Sequence, residues 1–579
     1  MQAITNKNAG IFLPSSYEEM RKRGWESVDI ILVTGDAYID HPSFGIALIA
    51  RLLESHGYRV AILSQPHHDT SEAFKIFGAP RLFWGITSGN LDSIVSNYTG
   101  NGKVRDQDDY SPDGNPYFGS KKEKKYRRRP DRAAIRYASL ARNAYPGIPI
   151  VLGGIEASLR RFVHFDYQQN KLRTSVLTDA KADLLVYGMG EKAIVEAASR
   201  IDKGQDLAGI PGTCIRVTER EIEQRYREDT QKIMLPSWDD INADKSHFMT
   251  AELAIDKNAR TFSGNNLWQK QQNIWIVQFP PAIPLTTTEL DAIYSLPYTR
   301  REHPINPNVP AYQMICHSIT IVRGCSGNCS FCAITRHQGP VITSRSEKSI
   351  LEEVQLVSSG KNFRGTITDL GGPTANLYGV TCEKEKCKRH DCLGKCICPQ
   401  LIIDEKSFLS LLEKVSALPR IKHVHVSSGL RMELLLKTPK LLEKLILHHT
   451  PGAMKIAPEH SEDEVLRLMH KQPYILPQFL DMCKKISQQG RKKIHFSPYF
   501  ISAHPGCTVN DMQSMALKIK NLGLSVRAFQ DFTPTPGTLS TAMYVSGLDR
   551  DTLKPIFIPS GGKERKLQRM VLEKIRKSK

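Results

Sequence analysis

The sequence predicts an α/β protein in which a doubly wound, Rossmann-like sheet precedes a partial parallel βα barrel. Three observations carry that expectation. Short apolar runs alternate with segments apolar at helical spacing over residues 29–202, the same alternation resumes after residue 305, and no stretch of about 18 apolar residues interrupts either block. At 579 residues the chain has room for several cores, and 40% hydrophobic with 24% charged residues is the composition of a folded globular protein.

The first block opens on DIILVTGD (29–36), a buried-looking strand, followed by FGIALIARLLESHG (44–57), a helix closed by Gly57. Further strands are expected at RVAILSQP (59–66), RLFWGITSG (81–89), IPIVLGGIEAS (148–158) and DLLVYGMGE (183–191), the last running into the helix KAIVEAASRID. Strands of this kind joined by helices predict a mainly parallel sheet over 1–203, with a polar, basic insertion near 105–132. Residues 204–305 are less regular and are expected to form a connecting subdomain. From 306 to 545 the strands are HSITIVRG (317–324), GTITDLGG (365–372), IKHVHVSSG (421–429), GAMKIAPEH (452–460), KIHFSPYFIS (493–502) and LSVRAFQDFTP (524–534). Between the first two, Ser344 and Glu347 stand at capping-box spacing, and Ile350, Val354 and Val357 share a helix face. Six βα units predict a barrel of fewer than eight strands. Residues 546–579 are expected to be a basic tail.

The net charge of +19 is unevenly spread. KKEKKYRRRPDR (121–132) and KERKLQRMVLEKIRKSK (563–579) each hold eight Lys/Arg against two acids, so together they carry +12 and leave +7 elsewhere. Each run reads either as a solvated loop or tail, or as a contact for RNA, DNA or an acidic partner. The amino-terminal residues hold no apolar run of signal-peptide type, which predicts a cytoplasmic protein without membrane contact. Twelve cysteines in a reducing compartment point to metal or redox chemistry, and eight of them lie between Cys325 and Cys398.

RGCSGNCSFC (323–332) places Cys325, Cys329 and Cys332 inside eight positions, directly after a strand. In a parallel βα fold, ligands sit beyond the carboxyl ends of the strands, so all three thiols face that mouth. Thiolate is a soft ligand suited to iron–sulfur clusters, zinc or copper(I). Zinc would need a fourth ligand, such as His337 or Cys316. A [4Fe–4S] cluster on three cysteines keeps one iron open for a substrate or cofactor.

The C-x3-C-x2-C spacing, with Phe331 before the last cysteine, resembles the radical S-adenosylmethionine (radical SAM) superfamily. The resemblance implies that Cys325, Cys329 and Cys332 hold three irons and that SAM binds the fourth through its amino and carboxylate groups. One electron, from a reducing donor of flavodoxin or ferredoxin type, would then cleave SAM to methionine and a 5′-deoxyadenosyl radical that abstracts hydrogen from a substrate. DLGGPTAN (369–376) occupies the place of the family's Gly-Gly-Glu motif with Pro373 where the acid stands. Asp369, or backbone at Gly371 and Gly372, is therefore expected to receive the SAM amino group. SSGLR (427–431) follows the third strand, where members place polar groups and an arginine, here Ser427 and Arg431. KIAPEHSEDEVLRLMHK (455–471) resembles the fourth-strand segment of the methylthiotransferase-like branch and contributes Glu459. Helix caps and surface ion pairs are the plainer alternative for Ser427, Arg431 and Glu459. YIDHPSFG (38–45), VLGGIEASLRRF (151–162), KIAPEH (455–460) and PYFISAHPG (498–506) together resemble the YgiQ-type (UPF0313-like) family over most of the chain. That resemblance implies the cofactor chemistry and leaves the reaction open.

A second group, CEKEKCKRHDCLGKCICP, holds five cysteines and His390, in a segment with few apolar residues to fold around. A bound metal would supply the ordering energy. Cys382, Cys387, Cys392 and Cys398 are the expected ligands, for an auxiliary iron–sulfur cluster or a zinc knuckle. A doubly wound domain ahead of such a barrel also resembles the cobalamin-binding arrangement of several superfamily members. However, Asp-x-His-x-x-Gly is absent, because Asp40 and His41 are adjacent and three residues separate His41 from Gly45, so no bound cobalamin is expected. The predicted function is SAM cleavage by an enzyme. RNA or protein modification is suggested by the basic runs and the methylthiotransferase-like segment, with small-molecule chemistry as the alternative. The rival from another class is a non-catalytic iron–sulfur redox or nucleic-acid-binding protein.

Overall fold

The structure, a computed structural model, describes residues 10–120, 122–225, 232–260, 262, 264–384, 387, 392–526 and 528–577. They form two compact units. One holds the chain up to Pro284 with 292–316 and 535–537; the other holds 285–291, 317–534 and the chain from Thr538 onward.

The first unit is built on a nine-stranded sheet. Five strands are parallel: β1 (Ile30–Thr34), β2 (Val60–Ser64), β3 (Phe83–Thr87), β4 (Ile150–Leu152) and β5 (Leu184–Val186), in spatial order β2-β1-β3-β4-β5. Every position of β1 is buried, because both faces are covered. Ile30 and Leu32 pack with the helices Gly45–Ser55 and Glu191–Asp202, whereas Ile31 and Val33 pack with Ala133–Ala144 on the other side. The order runs outward in both directions from β1, so the switch point of the sheet lies between β1 and β3.

Residues 204–305, expected as a connecting subdomain, supply four more strands of the same sheet. They are β6 (Thr213–Thr218), β7 (Lys232–Met234), β8 (Asn266–Gln271) and β9 (Ile274–Gln278). β6 is antiparallel to β5 and β9, and β8–β9 is a hairpin. Antiparallel strands carry polar residues among the apolar ones, which is why this stretch lacked the apolar runs of the parallel core. The basic insertion also departs from a solvated loop. Tyr117–Phe118 pairs with Tyr126–Arg127, the Arg128 guanidinium lies 5.0 Å from the Phe118 ring centroid, and Arg129 is buried.

The second unit holds strands at all six expected positions. They are β10 (Ser318–Thr320), β11 (Thr366–Ile367) continuing into β12 (Asp369–Gly371), β13 (His423–Val424), β14 (Ala453–Glu459), β15 (His495–Ser502) and β16 (Ala528–Asp531). β10 runs parallel to β12 and β11 to β13, while β14-β15-β16 form a second parallel set. No strand ladder joins β13 to β14 among the described residues, so the strands form parallel sets without a closed barrel.

The helix Glu347–Ser359 buries Ile350, Val354 and Val357 as expected, but its cap is Ser346, whose hydroxyl accepts from Ser349 N. Ser344 lies in a short strand instead, and Glu347 accepts from Ser410 Oγ and Lys414 Nζ. The expected basic tail contains the helix Gly562–Lys577, which buries Leu572. Its Gln568 accepts from Ala503 N and donates to Cys507 O. No described helix is long and apolar enough to cross a membrane.

Candidate active site

The cysteine loop leaves the strand Val322–Arg323, which pairs with Thr343–Ser344, at a sharp bend. Gly324 has φ +80°, and a Cβ there would lie 1.9 Å from Val341 O, so only glycine fits. The loop is pinned at both ends: Cys325 N donates to Gly339 O at 3.1 Å and Ser330 N to Met469 O at 3.0 Å. Arg550 Nη1 donates to Ser330 Oγ at 2.8 Å, and Ser540 N to Ser330 O at 2.8 Å. Phe331 meets the ring of buried His504 edge-on, with centroids 6.5 Å apart. Burial holds that imidazole neutral, pushing its pKa down to about 3.

This pinning brings the three thiols into one another's field. Burial pushes the Cys332 thiol up to about 12, and the neighbouring Cys329 and Cys325 add to the rise. A metal ion would reverse that order, because coordination deprotonates a thiol outright. Among the described residues no set of three or more His, Cys, Asp or Glu side chains converges at ligating geometry, so the thiols are neighbours and not a preformed cage.

Around them the ends of the next strands contribute polar groups. Arg431 Nη1 lies 3.7 Å from Cys329 Sγ, and Arg431 is paired with Glu433 at 2.5 Å. Burial opposes the Arg431 charge, but Glu433 and the thiols of Cys329 and Cys325 hold its pKa well above the usual value. Gly327 makes room for this guanidinium, because a Cβ there would sit 1.9 Å from Nη1. The backbone of Arg431 is fixed reciprocally by Asn376, whose Oδ1 accepts from Arg431 N and whose Nδ2 donates to Arg431 O. Thr374 Oγ1 lies 3.9 Å from Cys325 Sγ.

Neighbouring segments also crowd Gly371 and Gly372. A Cβ at Gly371 would meet Ser428 Oγ at 2.2 Å, and one at Gly372 would meet Val322 O at 2.6 Å. Asp369, expected to receive an amino group, has both oxygens engaged. Oδ1 accepts from Ser427 N and Ser428 N, and Oδ2 from Ser428 Oγ. It therefore holds the turn after β13 against β12. Ser427 Oγ donates to Thr368 O, which is also a structural contact.

Glu459 ends β14 with φ +67° and is buried beside Lys471, its Oε1 3.7 Å from the ammonium. Burial raises its pKa, against the pull of Lys471 and Arg431. Its Oε2 has no hydrogen-bond partner among the described residues, and Ser326 Oγ on the cysteine loop is likewise buried and unpartnered. Three soft thiols, a held cation at one of them and two orphaned polar atoms close by suit a cluster carrying a polar ligand.

The structure thus brings together Cys325, Cys329, Cys332, Gly371, Gly372, Arg431 and Glu459. Sequence reasoning missed Gly327, Thr374, Asn376, Ser428 and Glu433, whose roles depend on cross-strand contacts that no local pattern encodes. The second cysteine group is divided. Cys392 and Cys398 are buried in the core of this unit, with Cys398 N donating to Cys392 O, while Cys382 and Cys396 are exposed. His390 lies outside the described residues.

In the first unit, Asp40 is buried and paired with Arg51, and His41 is held by Ser43 N on Nδ1 and faces Arg300 on Nε2. Burial and then Arg300 push that imidazole well below its usual pKa. At the switch point Arg129 binds Asp36 at the end of β1, Ser88 O at the end of β3, Ser96 and Asp108.

A model of the radical SAM N-terminal region matches residues 12–318, and that of the radical SAM superfamily matches 319–519. A UPF0313 protein of Geobacter sulfurreducens is 43% identical over 567 residues, covering 97% of this chain and 92% of its own. A UPF0313 protein of Methanocella arvoryzae is 42% identical over 563 residues, covering 96% and 92%. Among solved structures, the radical S-adenosylmethionine methyltransferase TsrM from Kitasatospora setae, with cobalamin and a [4Fe–4S] cluster bound, is 16% identical with a TM-score of 0.49. That match covers 88% of this chain and 77% of TsrM. The cobalamin-dependent S-adenosylmethionine radical enzyme OxsB, with aqua-cobalamin bound, is 12% identical with a TM-score of 0.46, covering 97% and 62%.

Proposed function

Because the chain belongs to the UPF0313 proteins of the radical SAM superfamily, and is therefore an enzyme whose domain implies SAM and a [4Fe–4S] cluster, we propose that Cys325, Cys329 and Cys332 are the cluster ligands. The observation that carries this assignment is the mutual field of the three thiols on one pinned loop, with Arg431 held against Cys329. When bound, cluster and SAM together supply one-electron cleavage of SAM and the 5′-deoxyadenosyl radical.

The residues of the chain bind, orient and exclude water around that chemistry. Arg431, fixed by Glu433 and Asn376, places a permanent cation where anionic sulfur and the SAM carboxylate need one. Glu459 Oε2 and the strand end at Gly371 and Gly372 offer acceptors for the SAM amino group, a role for which Asp369 is poorly placed because the 427–428 turn engages it. Phe331 and the buried, neutral His504 form an uncharged wall behind the loop. For the second group, Cys382, Cys387, Cys392 and Cys398, in which only Cys392 and Cys398 stand buried side by side, the reading is an auxiliary iron–sulfur cluster with a zinc knuckle as the alternative. The first unit is assigned no corrin, because Arg129 fills its switch point and His41 has both ring nitrogens in contacts. The reducing equivalent comes from a donor of flavodoxin or ferredoxin type, and RNA is the substrate class read from the methylthiotransferase-like segment, with a protein or a small molecule as the alternatives.

The test is anaerobic incubation of reconstituted protein with SAM and dithionite. Formation of 5′-deoxyadenosine is expected, and Cys329→Ala should reduce it to background. Equal yield from the variant would refute the assignment.

A further inference from the structure

Five loops of the second unit return the chain from a helix to the amino-terminal end of a strand: 360–365, 417–422, 450–452, 490–494 and 522–526. They hold Lys361, Arg364, Arg420, Lys422, Arg491, Lys492 and Lys493, and no Asp or Glu. All seven cations are exposed, and none is ion-paired among the described residues. The strands within each set are parallel, so their loops gather at one end of it. Lys422 N donates to Gly365 O at 2.7 Å, Arg420 Nη2 to Gly360 O at 3.5 Å, and Lys492 Nζ to Leu447 O at 2.9 Å. Register joins the loops before β14 and β15, since Ala453 stands opposite His495, and His449, just before the first of them, has its Nδ1 2.8 Å from Val424 O of β13.

Cations beside helix carboxyl ends offset the helix dipole, which is the plainer account of such a pattern. That account applies equally to the first unit, where the pattern is absent. Its corresponding loops, 23–29, 56–59, 76–82, 145–149 and 180–183, hold Arg23, Arg59, Arg81 and Lys181 against Glu26, Asp29 and Asp183. Arg59 is moreover tied to Asp29 at 2.9 Å.

We propose that this loop-bearing end of the second unit is a docking surface for the phosphate backbone of RNA. Clustered, unpaired Lys and Arg are the electrostatic footprint of a phosphodiester chain. The cations sit on short loops between helix and strand, so contact is with backbone and shape. The surface lies at the end of the strands opposite the cysteine loop, and eight-residue β15 separates the two ends by about 25 Å. An RNA anchored here must therefore be a folded molecule longer than that to present a nucleotide at the thiols. The inference rests on the proposed function only for that RNA being the substrate.

Full-length protein is titrated with a folded, tRNA-sized transcript from about 50 to 200 mM salt. Seven contacts predict a slope of log affinity against log salt between about −5 and −6, at about 0.7 per single-stranded and 0.9 per duplex phosphate. Arg491→Glu/Lys492→Glu/Lys493→Glu should weaken binding at least tenfold and flatten the slope by about 2. Lys361→Gln/Arg364→Gln, on a separate loop, should act in the same direction if the first variant folds poorly. Lys563→Glu/Lys566→Glu/Lys574→Glu, on the exposed side of the carboxyl-terminal helix, should bind as wild type. Unchanged binding in both loop variants, equal loss in the helix variant, or equal competition by duplex DNA of the same length would overturn the proposal. The loop variants should retain 5′-deoxyadenosine formation. If wild type makes none while RNA binding behaves as described, the proposed function fails and the docking surface stands.

Discussion

Replacing Arg129 with methionine tests whether the switch point of the first sheet is closed by charge. Arg129 is 1% exposed, and its guanidinium contacts Asp36, Asp108, Ser88 O and Ser96. Methionine keeps much of the stem volume but leaves two buried carboxylates without a cation. Breaking a buried pair from one side costs about 3–5 kcal/mol, which for a unit of about 310 residues lowers the melting temperature by roughly 5–8 °C. The pH dependence is a second signature. Burial already raises Asp36 to about 6 from 3.8, although Arg129 opposes it, so the folded state binds that proton more tightly than the unfolded chain. The stabilising contribution of that site is present below about pH 4 and is lost as pH climbs through 6. Without Arg129 the upward displacement grows, so the deficit of the variant should narrow at pH 5 and widen at pH 8. Calorimetry across that range measures it, and Arg129→Met/Asp36→Asn should recover part of the loss. A deficit below about 1 kcal/mol, or one that widens toward pH 5, would refute the reasoning.

Two further outcomes concern metals and cofactors. Anaerobically purified protein is expected to hold about eight irons, half of them lost in Cys392→Ala/Cys398→Ala; about four irons with one zinc would replace the auxiliary cluster by a zinc knuckle. Protein mixed with hydroxocobalamin and desalted should show no corrin band, since the cation at the switch point leaves that crevice filled; a retained band would return the first unit to the cobalamin-binding class.

The parallel cores were legible because strands covered on both faces must be continuously apolar. β1 and β3 announce themselves, as do the six strands of the second unit. The cysteine loop was legible because its spacing alone sets which thiols can meet. Other features depend on pairing across strands. Ser344 and Glu347 had the spacing of a cap, yet Ser344 joined a neighbouring strand and Ser346 took the role. Asp369 looked free because its partners, Ser427 and Ser428, come from 58 and 59 residues away. Antiparallel strands such as β9 carry polar residues within them, and therefore read as linker.

Charge was the property least legible in order along the chain, for a topological reason. A dense basic run can be drawn inward, as Arg129 is, or bound into a packed helix, as Arg565 is through Phe532 O and Arg569 through Asp531. Sparse cations can add, because a parallel βα unit returns every helix-to-strand loop of a set to the same end. Two or three cations in each of three loops more than 50 residues apart thus outweigh, at the surface, a run of eight within twelve residues. The relevant sum is taken over loops that share an end of the sheet, and on that sum the second unit is basic where the first is nearly balanced.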